Sequence, residues 1–293
     1  MVIVITGPTA TGKSDLGIFL AKKLNGEIIN ADSTQIYKGI DIATNKIKDK
    51  KGVIHHLMDI KNLNENYTVF DYQKDAREKI DDILKRDKTP ILVGGTGLYI
   101  NATLYDYKFS NKINDDYLEY SNDEVYNMLK KVDPNTNIHP NNRARVVNAL
   151  NYYKSTGRVY SDKKKNNNLL YDTIFIGLKA DRDILYNKIN KRVDDMIDDG
   201  LIDEARGLYD LNIKTKAVMT PIGPKELFSY FDGIVSLDDA VDNIKSKSRK
   251  YAKRQFTWFN NQMNLKWFDT NYDDFSKTED EVLNYILTCT NKN

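Results

Sequence analysis

Residues 7–14 read Gly7-Pro8-Thr9-Ala10-Thr11-Gly12-Lys13-Ser14 and fit G-x-x-x-x-G-K-[ST] at every fixed position. No other stretch constrains the fold as much, because such a loop works only between a buried strand and a helix. Both flanks are present. Val2 to Thr6 is a β-branched run without polar alternation, the pattern of a strand covered on both faces in a parallel sheet. From residue 13 to 24, Leu16, Ile18, Phe19, Leu20, Ala21 and Leu24 recur at helical spacing. The glycines let backbone N–H groups close around phosphate oxygens. Lys13 and the positive helix end neutralise charge, and the Ser14 hydroxyl is placed to bind Mg²⁺.

The same rhythm continues. Strands are expected at 27–31, 90–93 and 173–178, and helices at 68–86, 181–199 and 236–261. Ser236 with Asp239 three residues on is a capping pattern, and Gly200 a helix stop. The fold class is therefore α/β, a P-loop-containing parallel sheet core flanked by helices. Residues 105–168 break the pattern. They hold no strand-like run, offer helical patches near 123–132 and 141–155, and end in a Lys/Asn run at 163–168. The expected organisation is a discontinuous core, 1–104 and 169–293, with a helical insertion at 105–168.

Composition narrows the function classes. Lys+Arg is 44 and Asp+Glu 42, a net charge of +2, which argues against a chain that coats nucleic acid. The charge is nevertheless uneven, with six basic and no acidic residues from 244 to 254. No apolar run approaches the roughly 18 residues of a membrane span. The first residues lack the features of a signal peptide, and the single cysteine, Cys289, excludes an intrachain disulfide. A cytoplasmic protein without a membrane partner is expected.

Two more strand ends carry candidate chemistry. Asp32 follows the second strand, and in a parallel sheet the C-terminal strand ends border the ligand crevice. A carboxylate there can bind metal or take a proton. Gly94-Gly95-Thr96-Gly97 follows the strand at 90–93, bringing backbone and the Thr96 hydroxyl towards a ligand. His55 and His56 are adjacent, so they diverge on any regular element and are read as structural. Phe256, Trp258 and Phe259 are read as core packing. No strand pairs a terminal aspartate with the loop in the manner of a nucleotide hydrolase.

Taken together, these stretches resemble the tRNA dimethylallyltransferases, also called tRNA isopentenyltransferases. The resemblance rests on GPTATGKS at 7–14, ADSTQIY at 31–37, HHLMDI at 55–60, ILVGGTGLYI at 91–100, HPNNRARVVNAL at 139–150, RVDDMIDDGLIDEA at 192–205 and SRKYAKRQFTWF at 248–259. It implies transfer of a dimethylallyl group from dimethylallyl diphosphate to N6 of the adenosine just 3′ of the anticodon. The partners implied are tRNA, through its anticodon stem-loop, and dimethylallyl diphosphate, with Mg²⁺ as cofactor and the monomer as the working state.

By resemblance, Gly7, Pro8, Thr9, Ala10, Thr11, Gly12, Lys13 and Ser14 hold the donor's diphosphate. Asp32 is the general base, Thr96 lies at the reaction channel, and Arg249 binds the diphosphate from the opposite side, with Arg254 a second candidate. Asp32, Ser33, Thr34, Gln35 and Thr96 meet the extruded adenine, and Asn142, Arg143, Ala144, Arg145 and Val146 form a tRNA-contacting stretch. Two departures stand out. Pro224 replaces an aromatic residue, and residues 113–123 lack an arginine that many relatives carry. A free-nucleotide dimethylallyltransferase, a small-molecule kinase and an RNA-binding protein without catalysis are the alternatives.

Overall fold

The computed structural model describes residues 1–107, 116–162 and 168–290. Among the stretches discussed above, 113–115 and 163–167 lie outside the described residues. The chain divides into two units, Met1–Tyr105 with Leu169–Asn293, and Asp106–Asn168.

In the first unit, β1 (Val2–Thr6), β2 (Gly26–Asn30), β3 (His55–His56), β4 (Thr89–Val93), β5 (Thr173–Lys179) and β6 (Lys266–Asp269) form one sheet in the order β3-β2-β4-β1-β5-β6. Every pairing is parallel. Alternation divides β1 between two cores. Val2 and Val4 join Tyr72, Ala76, Ile80 and Ile83 of α2 (Val69–Lys85), together with Phe259. Ile3 and Ile5 join Leu16 and Leu20 of α1 (Lys13–Lys23) and, further along the chain, Val282 and Ile286. The central strands are buried on both faces, as their unbroken apolar runs require.

The expected helices form with identifiable ends. α2 starts in a capping box of Thr68 and Asp71. After α3 (Gly97–Leu104) come α4 (Asn122–Val132) and α5 (Arg143–Thr156), which belong to the second unit. Its core holds Val125, Leu129, Val146, Val147 and Leu150, and α4 opens in a capping box of Ser121 and Glu124. α6 (Arg182–Asp198) is capped by Asp181. Gly200, left-handed at φ 101°, separates it from α7 (Leu201–Asp210). α8 (Lys216–Met219) and α9 (Pro224–Phe231) follow, with Pro224 opening α9 where a proline ring fits. α10 (Leu237–Gln262) carries the Ser236/Asp239 capping box, and α11 (Phe275–Thr290) packs beside β6. No helix among the described residues is long and apolar enough to cross a membrane.

Some elements differ from expectation. The second strand covers 26–30 rather than 27–31, because Ala31 already turns towards Asp32. β3, β6, α3, α7, α8, α9 and α11 are additions. β3 is two histidines held by backbone pairing, and β6 buries one of four side chains, so neither leaves an apolar signature. His56 serves structure. Its Nε2 lies 2.7 Å from Glu27 Oε2, and the buried Glu27 carboxylate also takes Arg86 and Lys88. Arg86 above all, then Lys88 and His56, hold that carboxyl well below the usual range. Phe256 departs from the core reading: it is 39% exposed and leans on Trp267, ring centroids 5.2 Å apart, whereas Phe259 is fully buried.

Candidate active site

Because the sheet is parallel, β1, β2 and β4 end at the same edge and deliver three loops side by side. The phosphate loop is shaped by close approaches. Gly7 lies at φ 136°, and a Cβ there would fall 2.2 Å from the Leu178 carbonyl oxygen of β5. Lys13 folds back over the loop, its Nζ donating to the Pro8 carbonyl at 2.6 Å, and Thr11 Oγ1 donates to the same oxygen at 2.9 Å. From outside, Thr270 Oγ1 donates to the Thr11 carbonyl at 3.1 Å and the Tyr272 hydroxyl to the Ala10 carbonyl at 2.9 Å.

A second cation enters from α6. Arg192 Nη1 donates to Thr9 Oγ1 at 2.8 Å. Burial first, and then the Arg192 charge, push the Lys13 amine down to about 7, against the opposing pull of Asp32. Burial likewise lowers Arg192 to about 10, again opposed by Asp32. Two cations that repel each other beside a single carboxylate make a place built for a multiply charged anion.

Asp32 is fixed by its own turn. Its backbone N–H donates to Asn30 Oδ1 at 3.0 Å, while Asn30 Nδ2 donates to the Asp32 and Leu57 carbonyls, each at 3.0 Å. Oδ1 accepts from the Thr34 N–H at 3.0 Å and the Thr34 hydroxyl at 2.7 Å. Oδ2 is turned towards the third loop, 3.9 Å from where a Gly95 Cβ would stand. In that loop Thr96 Oγ1 accepts from the Ser33 N–H at 3.0 Å and lies 3.3 Å from Ser33 Oγ. Gln35 Nε2 donates to the Thr44 and Asn45 carbonyls at 3.0 and 3.3 Å. Below Asp32, Tyr72 and Tyr99 stack with centroids 4.0 Å apart, and burial raises both hydroxyls.

The other expected residues fall elsewhere. Arg249 donates to Asn190 Oδ1 on α6, and Lys245 pairs with Asp194 of the same helix. The basic stripe of α10 is thus engaged with α6 along part of its length, and Arg192 is the arginine bonded to the phosphate loop. Arg254 is exposed, stands over the Tyr251 ring at 5.6 Å and lines a surface depression with Lys253, Thr257 and Trp258. One residue before Gln255, it is rotated about 100° around the helix, and these contacts do not include the phosphate loop.

In the second unit, Asn142 caps α5 and Val146 is fully buried, so Val146 cannot touch a partner. The Arg143 guanidinium donates to the Tyr117 and Tyr120 carbonyls and to Asn122 Oδ1, bracing its own unit. Arg145 and Ala144 are exposed.

A family model described as "IPP transferase" matches residues 35–262. The chain belongs to this family. It is 48% identical over 97% of its length to a tRNA dimethylallyltransferase of Anoxybacillus flavithermus, and 45% identical over the same share to one of Bacillus subtilis, each covered to 96%. Among solved structures, a tRNA isopentenylpyrophosphate transferase of Bacillus halodurans superposes with a TM-score of 0.78 at 43% identity, over 98% of this chain and 95% of that one. A eukaryotic dimethylallyltransferase acting on tRNA gives a TM-score of 0.81 at 31% identity, over 99% and 79% of the two chains.

Within this family fold, Arg192 and Gln255 are site residues that sequence reasoning missed. Arg192 shares the inward face of an otherwise largely polar helix, three residues after buried Ile189 and four before buried Met196. Gln255 likewise stands between buried Ala252 and Phe259. A polar residue at a position where the period demands an apolar one is the available signal.

Proposed function

We propose that this chain transfers a dimethylallyl group from dimethylallyl diphosphate to N6 of the adenosine 3′ of the anticodon in tRNA. The observation that carries this reading is the convergence of Lys13, Arg192 and the phosphate loop on one side with Asp32 and Thr96 on the other. N6 attacks C1 of the donor, the C1–O bond breaks, and its electron pair leaves with diphosphate. The N6 proton passes to Asp32 Oδ2. Loop amides, Lys13 and Arg192 stabilise the charge that grows on the leaving group, commonly the largest catalytic contribution. Adenine N6 is a weak nucleophile, and a placed general base adds about 10²–10⁴-fold.

Mg²⁺ fits this arrangement as a partner of the substrate. Among the described residues no group of three His, Cys, Asp or Glu side chains could hold a metal. Ser14 and Asp32 would be its protein ligands, few enough to suit an ion held mainly by diphosphate oxygens and water. When bound, it supplies further neutralisation of the leaving group. The exposed Arg145 and Ala144 on α5 are the tRNA-facing part of the second unit in this reading. The enzyme works as a monomer in the cytoplasm, where its tRNA substrate is found.

The test incubates the protein with labelled dimethylallyl diphosphate, Mg²⁺ and unmodified tRNA. Label appears in the tRNA with release of diphosphate. Label entering free AMP instead assigns a nucleotide enzyme, and consumption of ATP with a small hydroxyl acceptor assigns a kinase.

A further inference from the structure

Gln255 is buried on α10, and its carboxamide bonds to two backbone segments distant in sequence. Oε1 accepts from the Thr9 N–H at 2.8 Å, and Nε2 donates to the Gly95 carbonyl at 3.1 Å. These segments belong to opposite halves of the reaction. Thr9 carries Arg192 on its hydroxyl, and the Pro8 carbonyl before it carries Lys13. Gly95 precedes Thr96, which holds the Ser33 N–H next to Asp32.

The sheet fixes the spacing of these halves only as far as the strand ends, through Gly94 N–H to the Ile5 carbonyl at 3.2 Å and Thr6 Oγ1 to the Gly94 carbonyl at 2.9 Å. Beyond that point both loops leave their strands. Among the described residues, Gln255 is the one side chain bonded to both. Gly95 is cut to fit it: a Cβ there would lie 2.1 Å from Nε2, so the missing side chain makes room for the amide.

We propose that Gln255 is a positioning residue that sets the gap between the diphosphate-binding loop and the acceptor-binding loop, and with it the approach of N6 to C1. This inference rests on the assignment of Lys13 and Arg192 to the donor and of Asp32 and Thr96 to the acceptor. Reacting atoms must come within about 3–3.5 Å in line, and a displacement of about 1 Å can cost roughly 10²-fold in rate. A carboxamide suits this role because it offers one acceptor and one donor on a short planar group, matching one N–H and one carbonyl.

The test measures kcat, both KM values and thermal melting for Gln255→Leu and Gln255→Glu in the full chain. Gln255→Glu keeps the size and the acceptor for Thr9 but loses the donor to Gly95, and it carries the test if the leucine variant does not fold. In folded variants, kcat falls about 10²-fold while both KM values stay within about threefold, because the subsites survive and their spacing does not. Combining Gln255→Leu, or Gln255→Glu if that variant carries the test, with Thr96→Ala costs no more than about threefold beyond the worse single change, since both act on one loop. A kcat within about twofold of wild type in a folded Gln255 variant overturns the inference, as do losses that multiply or that track the unfolded fraction. Asp32→Asn serves as the control. Full turnover in that variant means that the acceptor half is misassigned. Its inactivity beside fully active Gln255 variants means that the halves are right and the positioning role is wrong.

Discussion

At the scale of single residues, the site is a contest over charge. Burial, and then the Arg192 charge, lower the Lys13 amine to about 7, so near neutral pH it is only partly charged. A diphosphate brought against it restores the charged amine, so binding takes up a proton. With the folded value at about 7, the Lys13 contribution to affinity for dimethylallyl diphosphate falls as pH rises from 7 through 8. Calorimetry in buffers of different ionisation enthalpy reads this directly: proton uptake near pH 7.5 is expected, and buffer-independent heats would count against it. Arg192→Ala removes the second cation and should lower kcat about 10²–10³-fold. Arg192→Lys keeps the charge but not the forked geometry, and recovers part of the loss. Asp32→Ala abolishes transfer while tRNA binding in a filter assay stays near wild type.

At the scale of elements, helices far along the chain complete loops made near its start. Gly95→Ala tests this from the loop side. Its methyl group lands on the Gln255 amide, so kcat should fall with little change in melting temperature. Glu204 of α7 gives a second case. Its carboxylate accepts from the N–H groups of Asp41, Ile42 and Ala43 at 2.7, 2.8 and 2.9 Å. That turn supplies the Thr44 and Asn45 carbonyls which hold Gln35. Glu204→Ala should therefore raise KM for tRNA several-fold and leave KM for dimethylallyl diphosphate unchanged.

This distribution explains what the sequence disclosed. The phosphate loop, Asp32 and Thr96 were legible because each sits at a strand end with its motif in one continuous stretch. Arg192 and Gln255 act across 183 and 246 residues, and spacing says nothing about such pairs. The basic run at 244–254 was legible as charge, but not the partners of that charge. The tertiary neighbours of Lys245 and Arg249, which are Asp194 and Asn190, leave no trace in local spacing.

At the scale of the whole molecule, balanced charge sets how the protein meets RNA. With a net charge of +2 and several cations committed to internal partners, few phosphates are neutralised on binding. The log–log salt slope for tRNA should be shallow, of magnitude about 2–4, well short of the slope of about 10 that extensive phosphate contact produces. Stability has its own pH signature. The Glu27 carboxyl is held low by Arg86, Lys88 and His56, so its contribution is complete above the unfolded carboxylate range and is lost as pH falls through it. Glu27→Gln should flatten the melting temperature between pH 5 and pH 3, where wild type declines.

The bracing of the phosphate loop by Thr270 and Tyr272 has a consequence for the order of assembly. Ribosomes release the chain from its N-terminal side, so residues 7–14 emerge well before residues 270–272. Their carbonyls at Ala10 and Thr11 find these hydroxyl partners only after some 260 further residues have been made. The phosphate loop is therefore translated long before the residues that brace it and is finished late. A nascent chain that has not yet exposed Thr270 and Tyr272 lacks both of these braces.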